Sequence, residues 1–379
     1  CPLFVFAFEL ILIPTTLLVA SFGGAKRAGA AVRFLTYGAA SGLTLLAAVL
    51  AFVWLQPHAG SGAGSGQGAL SFAYADLAQH ALSPESQRWV MALVLLAFGL
   101  KLPIVPLHGW QPATYSQAPT PVAMLLSGAV SKLGAYGLLR FGLQLLPDTW
   151  AAWSPWIAAV GAISAIYGAL NAIAQLDMRR LVAYSSLGHM GMLVLALAAA
   201  TPLSLQGVVA QMLAHGLIIA LLFCVVGLIE AKTGTSSIGE LSGLLNPQRG
   251  LPFTLGLLLL GLMAAAGVPG LAGFVAELLV FEGSWTAFPL PTLVCLVASG
   301  LTAVYAVRLF NRVGFGRLDN TRADWTSTTW PERLPAMVLA AAVLIAGVWP
   351  QALTGLSDST TAGLAIRTAL ATATAPLIS

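Results

Sequence analysis

Six ionisable residues, Glu9, Lys101, Lys132, His189, His215 and Glu277, lie inside or beside long apolar runs. They make up two carboxylates, two ammonium groups and two imidazoles. A cation at the centre of a bilayer helix costs about 2.5–3.5 kcal/mol on insertion scales, so such groups are expected to pair or to serve an ion path. Lysine, carboxylate and imidazole are also side-chain types whose protonation the surroundings can bring to neutral pH. The set therefore has the chemistry of proton conduction. Each member has a plainer reading as well. Glu9 and Lys101 could form a structural ion pair at mid-membrane depth. His189 could satisfy Tyr184 or a backbone carbonyl, and His215 could do the same. His108 is read as satisfying freed carbonyls.

The elements that must position these groups are membrane spans. Of the 379 residues, 58% are hydrophobic and only 8% charged, and the mean hydropathy is +0.88. Repeated apolar runs of this length indicate an all-α polytopic membrane protein and exclude an ordinary soluble domain. The formal charge of +4 does not indicate nucleic acid, because the basic residues sit in short loops between spans. Cys1, Cys224 and Cys295 form neither a disulfide framework nor a metal-ligand spacing. The chain opens inside an apolar segment without methionine, which suggests a natural chain lacking its N-terminal part.

Ten spans are expected, at 3–20, 34–55, 90–111, 121–143, 153–175, 182–200, 204–229, 252–282, 290–310 and 335–350. Residues 1–350 make one transmembrane domain, and 351–379 are an Ala- and Thr-rich C-terminal tail. The stretch 58–70 is rich in Gly and Ser and reads as flexible. An amphipathic piece is expected near 73–83. Alternating the spans puts Lys26, Arg27, Arg33, Arg179, Arg180, Lys232, Arg249 and the arginines from Arg308 to Arg333, Arg322 included, on one side. That sidedness follows the positive-inside rule. Trp110, Trp150, Trp153 and Trp156 near span ends read as interface anchors.

Two spans carry breaks. Pro103 and Pro106 follow Lys101, and Gly267-Val268-Pro269-Gly270 precedes Glu277. Proline removes a backbone donor and clashes with the preceding turn. A broken membrane helix is tolerated only where protein or a water-filled cavity satisfies the freed groups. Interrupted helices in corresponding positions of two halves point to inverted repeats and a midplane ion site. Both breaks are expected near the midplane, facing each other across the bundle. Lys132, His189, His215 and Glu277 are expected at one depth, forming a lateral row bridged by water.

The run KLPIVPLHGWQPATYSQAPTPVAMLLSGAVSKLGAYGLLRF, with FAFELILIP, MRRLVAYSSLGHMGM, QMLAHGLIIALLF and GVPGLAGFVAELLVF in the same order, resembles the proton-antiporter-like membrane subunits of complex I. The nearest resemblance is to the subunit M / chain 4 type of NAD(P)H-quinone oxidoreductase, cyanobacterial forms included, and it runs from about Phe4 to Phe315. It implies a bundle built on two inverted five-helix repeats, here without about four N-terminal helices. Proton translocation would be carried by Glu9, its partner Lys101, the central Lys132, His189, His215 and the terminal Glu277. The resemblance implies no cofactor in this chain. Quinone and NAD(P)H or ferredoxin chemistry would lie in partner subunits of a membrane arm, in a bacterial inner membrane or a thylakoid. The family's usual Trp-Leu-Pro-Asp-Ala-His run reads Trp110-Gln111-Pro112-Ala113-Thr114-Tyr115 here. The loss of an acid and an imidazole leaves other members of the superfamily open. These are a sodium/proton antiporter subunit, a membrane-bound hydrogenase subunit, and the carbon dioxide uptake form of the cyanobacterial complex. A scaffold whose charges only lock helices together is the reading from another class.

Overall fold

The computed structural model describes residues 1–56, 71–79, 82–317 and 327–355, with single positions at 357, 361 and 363. The Gly/Ser-rich stretch, Arg322 and most of the tail lie outside the described residues. All the regular structure among the described residues is helical. Six elements precede the middle of the chain: α1 (Pro2–Phe22), α2 (Arg27–Trp54), the single turn α3 (Tyr74–Leu77), α4 (Pro84–Lys101), α5 (Gln111–Gln117) and α6 (Thr120–Leu143). They are followed by α7 (Pro147–Ala174), α8 (Met178–Ala199), α9 (Pro202–Thr233), α10 (Pro252–Ala265) and α11 (Ala272–Trp285). The chain continues with α12 (Pro289–Gly314), α13 (Trp330–Val348) and the short α14 (Gln351–Thr354).

Eight of these helices are long and apolar enough to cross a membrane. The interrupted pairs α4/α5 and α10/α11 complete the expected ten. Proline opens many of the helices at their first turn, where its missing N–H has no intrahelical acceptor to lose. The amphipathic piece near 73–83 is reduced to the single turn α3 among the described residues.

The middle of the bundle is α8. Almost every residue of this helix is buried, from Met178 to Ala198. It packs most extensively against α7, and glycines make the closeness possible. A Cβ at Gly168 or Gly191 would collide with the backbone of the opposing helix. Small residues of this kind let membrane helices approach closely. α9 joins α8 through Thr201, whose hydroxyl and Ser204 form a reciprocal cap. α4 packs on α6, α6 on α9, and α9 on α11.

Both breaks are present, and protein groups satisfy them. α4 ends at Lys101, so this lysine is the last residue of a half-helix rather than the centre of a span. The reason is that Pro103 and Pro106 deny the helix its next donors. The orphaned Leu100 carbonyl accepts from the Trp110 indole at 2.8 Å, and the Val105 N–H donates to Ser164 Oγ at 3.0 Å. Trp110 is thus a buried brace for the break and not an interface anchor, and Trp150 is likewise fully buried. Trp156, 77% exposed, does face outward. At the second break Gly267 and Gly270 take left-handed backbone, with φ of +67° and +89°. The elements of the two breaks are linked through intervening helices: α4 packs on α6 and α11 on α9, while α8 touches both α5 and α11.

Candidate functional site

Lys132 owes its position to irregular helix. In α6 residues Leu126–Val130 and Leu138–Leu143 are π-helical, a local form that often marks functional sites. The Ser131 N–H reaches back five residues to Leu126 at 3.0 Å. The Ser127 carbonyl, which would receive that N–H in an α-helix, instead accepts the Ser131 hydroxyl at 2.9 Å and the Lys132 ammonium at 2.5 Å. Lys132 Nζ also lies 3.4 Å from Ser131 Oγ and 2.7 Å from His215 Nδ1. Gly128 and Gly216 bring α6 and α9 together here, since a Cβ at Gly216 would press on the Gly128 carbonyl.

The Lys132–His215 contact has one chemical consequence. Two nitrogens at 2.7 Å make a hydrogen bond only when one donates and the other accepts, so one proton lies between them. His215 Nε2 has no hydrogen-bond partner among the described residues. Its ring stands 5.4 Å from the His189 ring, tilted by 43°. His189 Nδ1 meets the Ser185 carbonyl at 2.8 Å, and Nε2 meets the Ala265 carbonyl at 3.1 Å. Carbonyl oxygens only accept, so this setting is complete when both ring nitrogens carry protons. Ala265 is the last residue of α10, and its carbonyl is one of those freed by the break.

The charge that answers His189 is Glu277, with Oε1 3.4 Å from Nε2. Glu277 Oε2 accepts the Ser299 hydroxyl at 2.6 Å. The carboxylate packs back on the break, where a Cβ at Gly267 would approach Oε2 to 2.9 Å. Lys132, His215, His189, Glu277 and Ser299 therefore form a chain of neighbours across α6, α9, α8, α11 and α12. The order differs from the order along the sequence, because His215 stands between Lys132 and His189. Direct hydrogen bonds join Lys132 to His215 and Glu277 to Ser299, whereas the two imidazole rings stand 5.4 Å apart. A cavity of about 10 Å³, lined by Ser185, His189, Gln211, His215 and Glu277 among others, is near the smallest volume that holds one water.

Glu9 and Lys101 behave differently. The structure places no carboxylate–ammonium contact within 4.0 Å between them. The Lys101 ammonium lies over the Phe8 ring, 4.4 Å from its centroid, and has no hydrogen-bond partner among the described residues. Glu9 Oε1 is also unpartnered and fills the space that Gly42 leaves by lacking a Cβ. No salt bridge within 4.0 Å joins them, with Lys101 over an aromatic face and Glu9 beside Gly42, but the two opposite charges remain near enough to act on each other electrostatically. His108 does not satisfy a freed carbonyl. Its Nδ1 is unpartnered, and its ring sits edge-on to Tyr167 at 4.9 Å.

Several polar groups carry no sequence signal strong enough to single them out. Ser127, Ser131 and Ser299 are ordinary small residues of membrane helices until π-helix and packing aim them at a charge. Arg179 looked like a loop cation. It is buried, pairs through Nε with Glu230 at 2.5 Å, and donates to the Ala118 carbonyl and to Thr120 Oγ1 at 2.9 and 2.7 Å. It thereby fastens α8 and α9 to the start of α6.

Residues 2–302 match the family described as NADH:quinone oxidoreductase/Mrp antiporter, TM. The chain belongs to this family. It is 35% identical over 364 residues to NADH-quinone oxidoreductase subunit M of Escherichia coli, covering 94% of this chain and 70% of that protein. It is 36% identical over 374 residues to NAD(P)H-quinone oxidoreductase chain 4 1 of Synechococcus elongatus, covering 96% of this chain and 67% of that one. Among solved structures, a chain of respiratory complex I from Thermus thermophilus superposes with a TM-score of 0.87 at 29% identity, covering 97% of this chain and 75% of that chain. A chain of the Mrp complex from a Dietzia species shares the fold, with a TM-score of 0.82 at 22% identity over 98% of this chain and 75% of that one. This is an all-α, multi-pass membrane protein of the quinone oxidoreductase and antiporter family.

Proposed function

We propose that the chain is a proton-translocating membrane subunit of an NAD(P)H- or ferredoxin-quinone oxidoreductase. In this reading it holds no redox centre, and the electron chemistry belongs to partner subunits of the membrane assembly. The observation that carries the reading is the succession of neighbours Lys132–His215–His189–Glu277, with contacts of 2.7 and 3.4 Å at its ends and rings 5.4 Å apart between them.

The geometry suits a relay. A proton arriving at Lys132 is shared with His215 Nδ1. Protonation there allows release from Nε2 on the opposite side of the ring, into the small cavity beside His189. His189 sits between two carbonyls and the Glu277 carboxylate, a setting that holds an imidazolium. Charge added at one end changes the preferred protonation of each neighbour in turn. A conformational signal at the Glu277 break would act directly on His189, because the Ala265 carbonyl and the Glu277 carboxylate flank that break.

The decisive test is proton uptake by vesicles holding the intact assembly. Lys132→Ala is expected to abolish uptake or reduce it by about tenfold or more, the size of a lost proton-transfer group, while the assembly still forms. Full uptake in the combined Lys132→Ala and His215→Ala variant would overturn the proposal and favour a scaffold. The shared fold with the Mrp chain supports a second reading, an antiporter subunit exchanging sodium for protons. Uptake that requires sodium and no quinone would favour it.

A further inference from the structure

We infer that the groove between α7 and α12 is a binding site for an anionic phospholipid. Arg308 and Arg312 hold its headgroup phosphate, and the outer faces of both helices take its acyl chains. This goes beyond the proposed function and does not depend on proton translocation.

α7 and α12 pack on each other, and their outward faces are apolar. Ile163 and Leu170 on α7, and Val297, Val304 and Val307 on α12, are exposed. Their spacing keeps each set on one side of its helix. From Val297 to Val307 an α-helix rises about 15 Å. That is the depth of one leaflet, half of a hydrocarbon core of about 30 Å. The stripe then meets charge at once. Arg308 follows Val307, and Arg312 stands one turn further on. The other basic loops gather at the same end, so the two arginines lie at headgroup level on the basic side of the membrane.

Between these arginines and the α7–α8 turn lies a cavity of about 690 Å³, open at the surface. That volume falls in the range of ligand pockets, about 300–1,000 Å³. Its rim is tied down. The Leu176 carbonyl accepts the Ile238 N–H at 2.8 Å, and the Ser236 carbonyl accepts the Met178 N–H at 2.9 Å. Tyr305 forms a buried wall, with its hydroxyl committed to Ser185 Oγ at 2.7 Å. Leu176, exposed at the rim, carries the apolar surface up to the cavity.

The charge in the cavity is of one sign. Arg308 and Arg312 line it, and among the described residues no carboxylate does. Arg312 makes no ion pair among the described residues. Asp177, in the adjoining turn, is taken by the Arg180 N–H and the Ser236 hydroxyl. The α12 C-terminus favours a cation here, but that does not account for a walled cavity beside two of them. Like charges one turn apart on a helix are destabilising, and a phosphate lying between them removes that cost. Arg308 Nη1 donates to the Ile173 carbonyl at 2.7 Å, which fixes the guanidinium and leaves most of its donors free. A fixed guanidinium presents a fork that matches phosphate oxygens. A zwitterionic headgroup would bring its own cation against two arginines with no acid to answer it, so a net negative lipid is favoured. A soluble anion would leave the apolar stripe uncovered, whereas a phospholipid fills both parts of the site.

The test passes the intact assembly through vesicles of phosphatidylglycerol and phosphatidylcholine and re-extracts it in detergent. Mass spectrometry then counts each lipid retained per chain. The unmodified assembly is expected to retain phosphatidylglycerol preferentially. Arg312→Gln leaves the Ile173 bond in place and is expected to weaken that retention about fivefold, the worth of one basic residue at an anionic surface. Arg312→Lys should keep most of it, and Arg33→Gln, elsewhere on the basic side, should change nothing. Glycerophosphoglycerol, the same headgroup without acyl chains, should not displace the lipid at equal concentration. Equal retention of both lipids, unchanged retention in Arg312→Gln, an equal loss in Arg33→Gln, or displacement by the free headgroup would each overturn the site. Release of a neighbouring subunit from Arg312→Gln with lipid retention unchanged would assign the groove to a protein and overturn it too. If Arg312→Gln does not assemble, a photoreactive phosphatidylglycerol decides. Labelling of α7 or α12 along the groove upholds the site, and labelling confined to other helices overturns it.

Discussion

The two interrupted helices of this bundle carry opposite charges in opposite settings. At the first, Lys101 closes α4 and faces the Phe8 ring with no hydrogen bond, and Glu9 is nearby but out of contact. At the second, Glu277 lies past the break and is held by Ser299 on one oxygen and by His189 beside the other. The helix termini explain part of this contrast. A cation is favoured at the end of α4, where the unpaired carbonyls of a helix C-terminus give partial negative charge. At the second break the free Ala265 carbonyl is already taken by His189, which brings its own charge to meet the carboxylate. One break therefore leaves a charge loosely held and able to change partners, and the other builds it into a continuous polar row. In the proposed function the first setting would suit a gate and the second a conductor.

Substitutions can break or sharpen that contrast. The largest effect is expected at the conductor. Glu277→Gln keeps the shape and removes the charge facing His189, and should lower proton uptake by about tenfold or more, equivalent to about 1.4 kcal/mol or more of barrier. Vesicle uptake per assembled complex measures it, and a normal rate would mean that the carboxylate is dispensable. Ser299→Ala comes next. It deletes a hydrogen bond to a charged group, worth about 1.5–3 kcal/mol, and should loosen Glu277 without removing it. Thermal unfolding in detergent, set beside uptake, separates the stability loss from the functional one.

Gly216→Ala should act on the opposite end of the row. Its Cβ would lie 2.8 Å from the Gly128 carbonyl oxygen, and the overpacking should cost about 1–3 kcal/mol. A structure of the variant should show Lys132 Nζ drawn away from His215 Nδ1, and an unchanged 2.7 Å contact would contradict the role given to this glycine pair. The smallest effect is expected at the first break. A double-mutant cycle with Glu9→Gln and Lys101→Ala should give a smaller coupling energy than the His189 and Glu277 cycle, because the first pair acts across a gap and the second lies 3.4 Å apart. A larger coupling at Glu9 and Lys101 would show that the pair closes in the working assembly, and the contrast between the breaks would then be one of state rather than of design.

Much of the fold was legible because its signals are strong and local. Apolar runs long enough to span a bilayer, basic loops on one side, and proline or glycine interruptions are each written in a few consecutive residues. Lys101 shows where such reading misplaces a group. The apolar run 90–111 set it at a span centre, but the helix starts at Pro84 and stops at Lys101, so the lysine is terminal. Trp110 shows the same limit. Its place near a span end suggests the lipid interface, yet a break nearby offers a buried carbonyl, and the indole N–H takes that bond instead.

The sequence by itself determined the helical membrane character, the two breaks, and which ionisable side chains lie on or beside the apolar helices, because cost of insertion and loss of backbone donors depend on residue type alone. The tertiary structure decided their connectivity. It slipped α6 into π-helix so that the Ser127 carbonyl turns to Lys132, and it crossed α6 and α9 at paired glycines so that His215 precedes His189. Those outcomes depend on how closely separate helices approach and on which backbone group each one leaves unpaired. No stretch of sequence records that, because it is settled only when the helices pack.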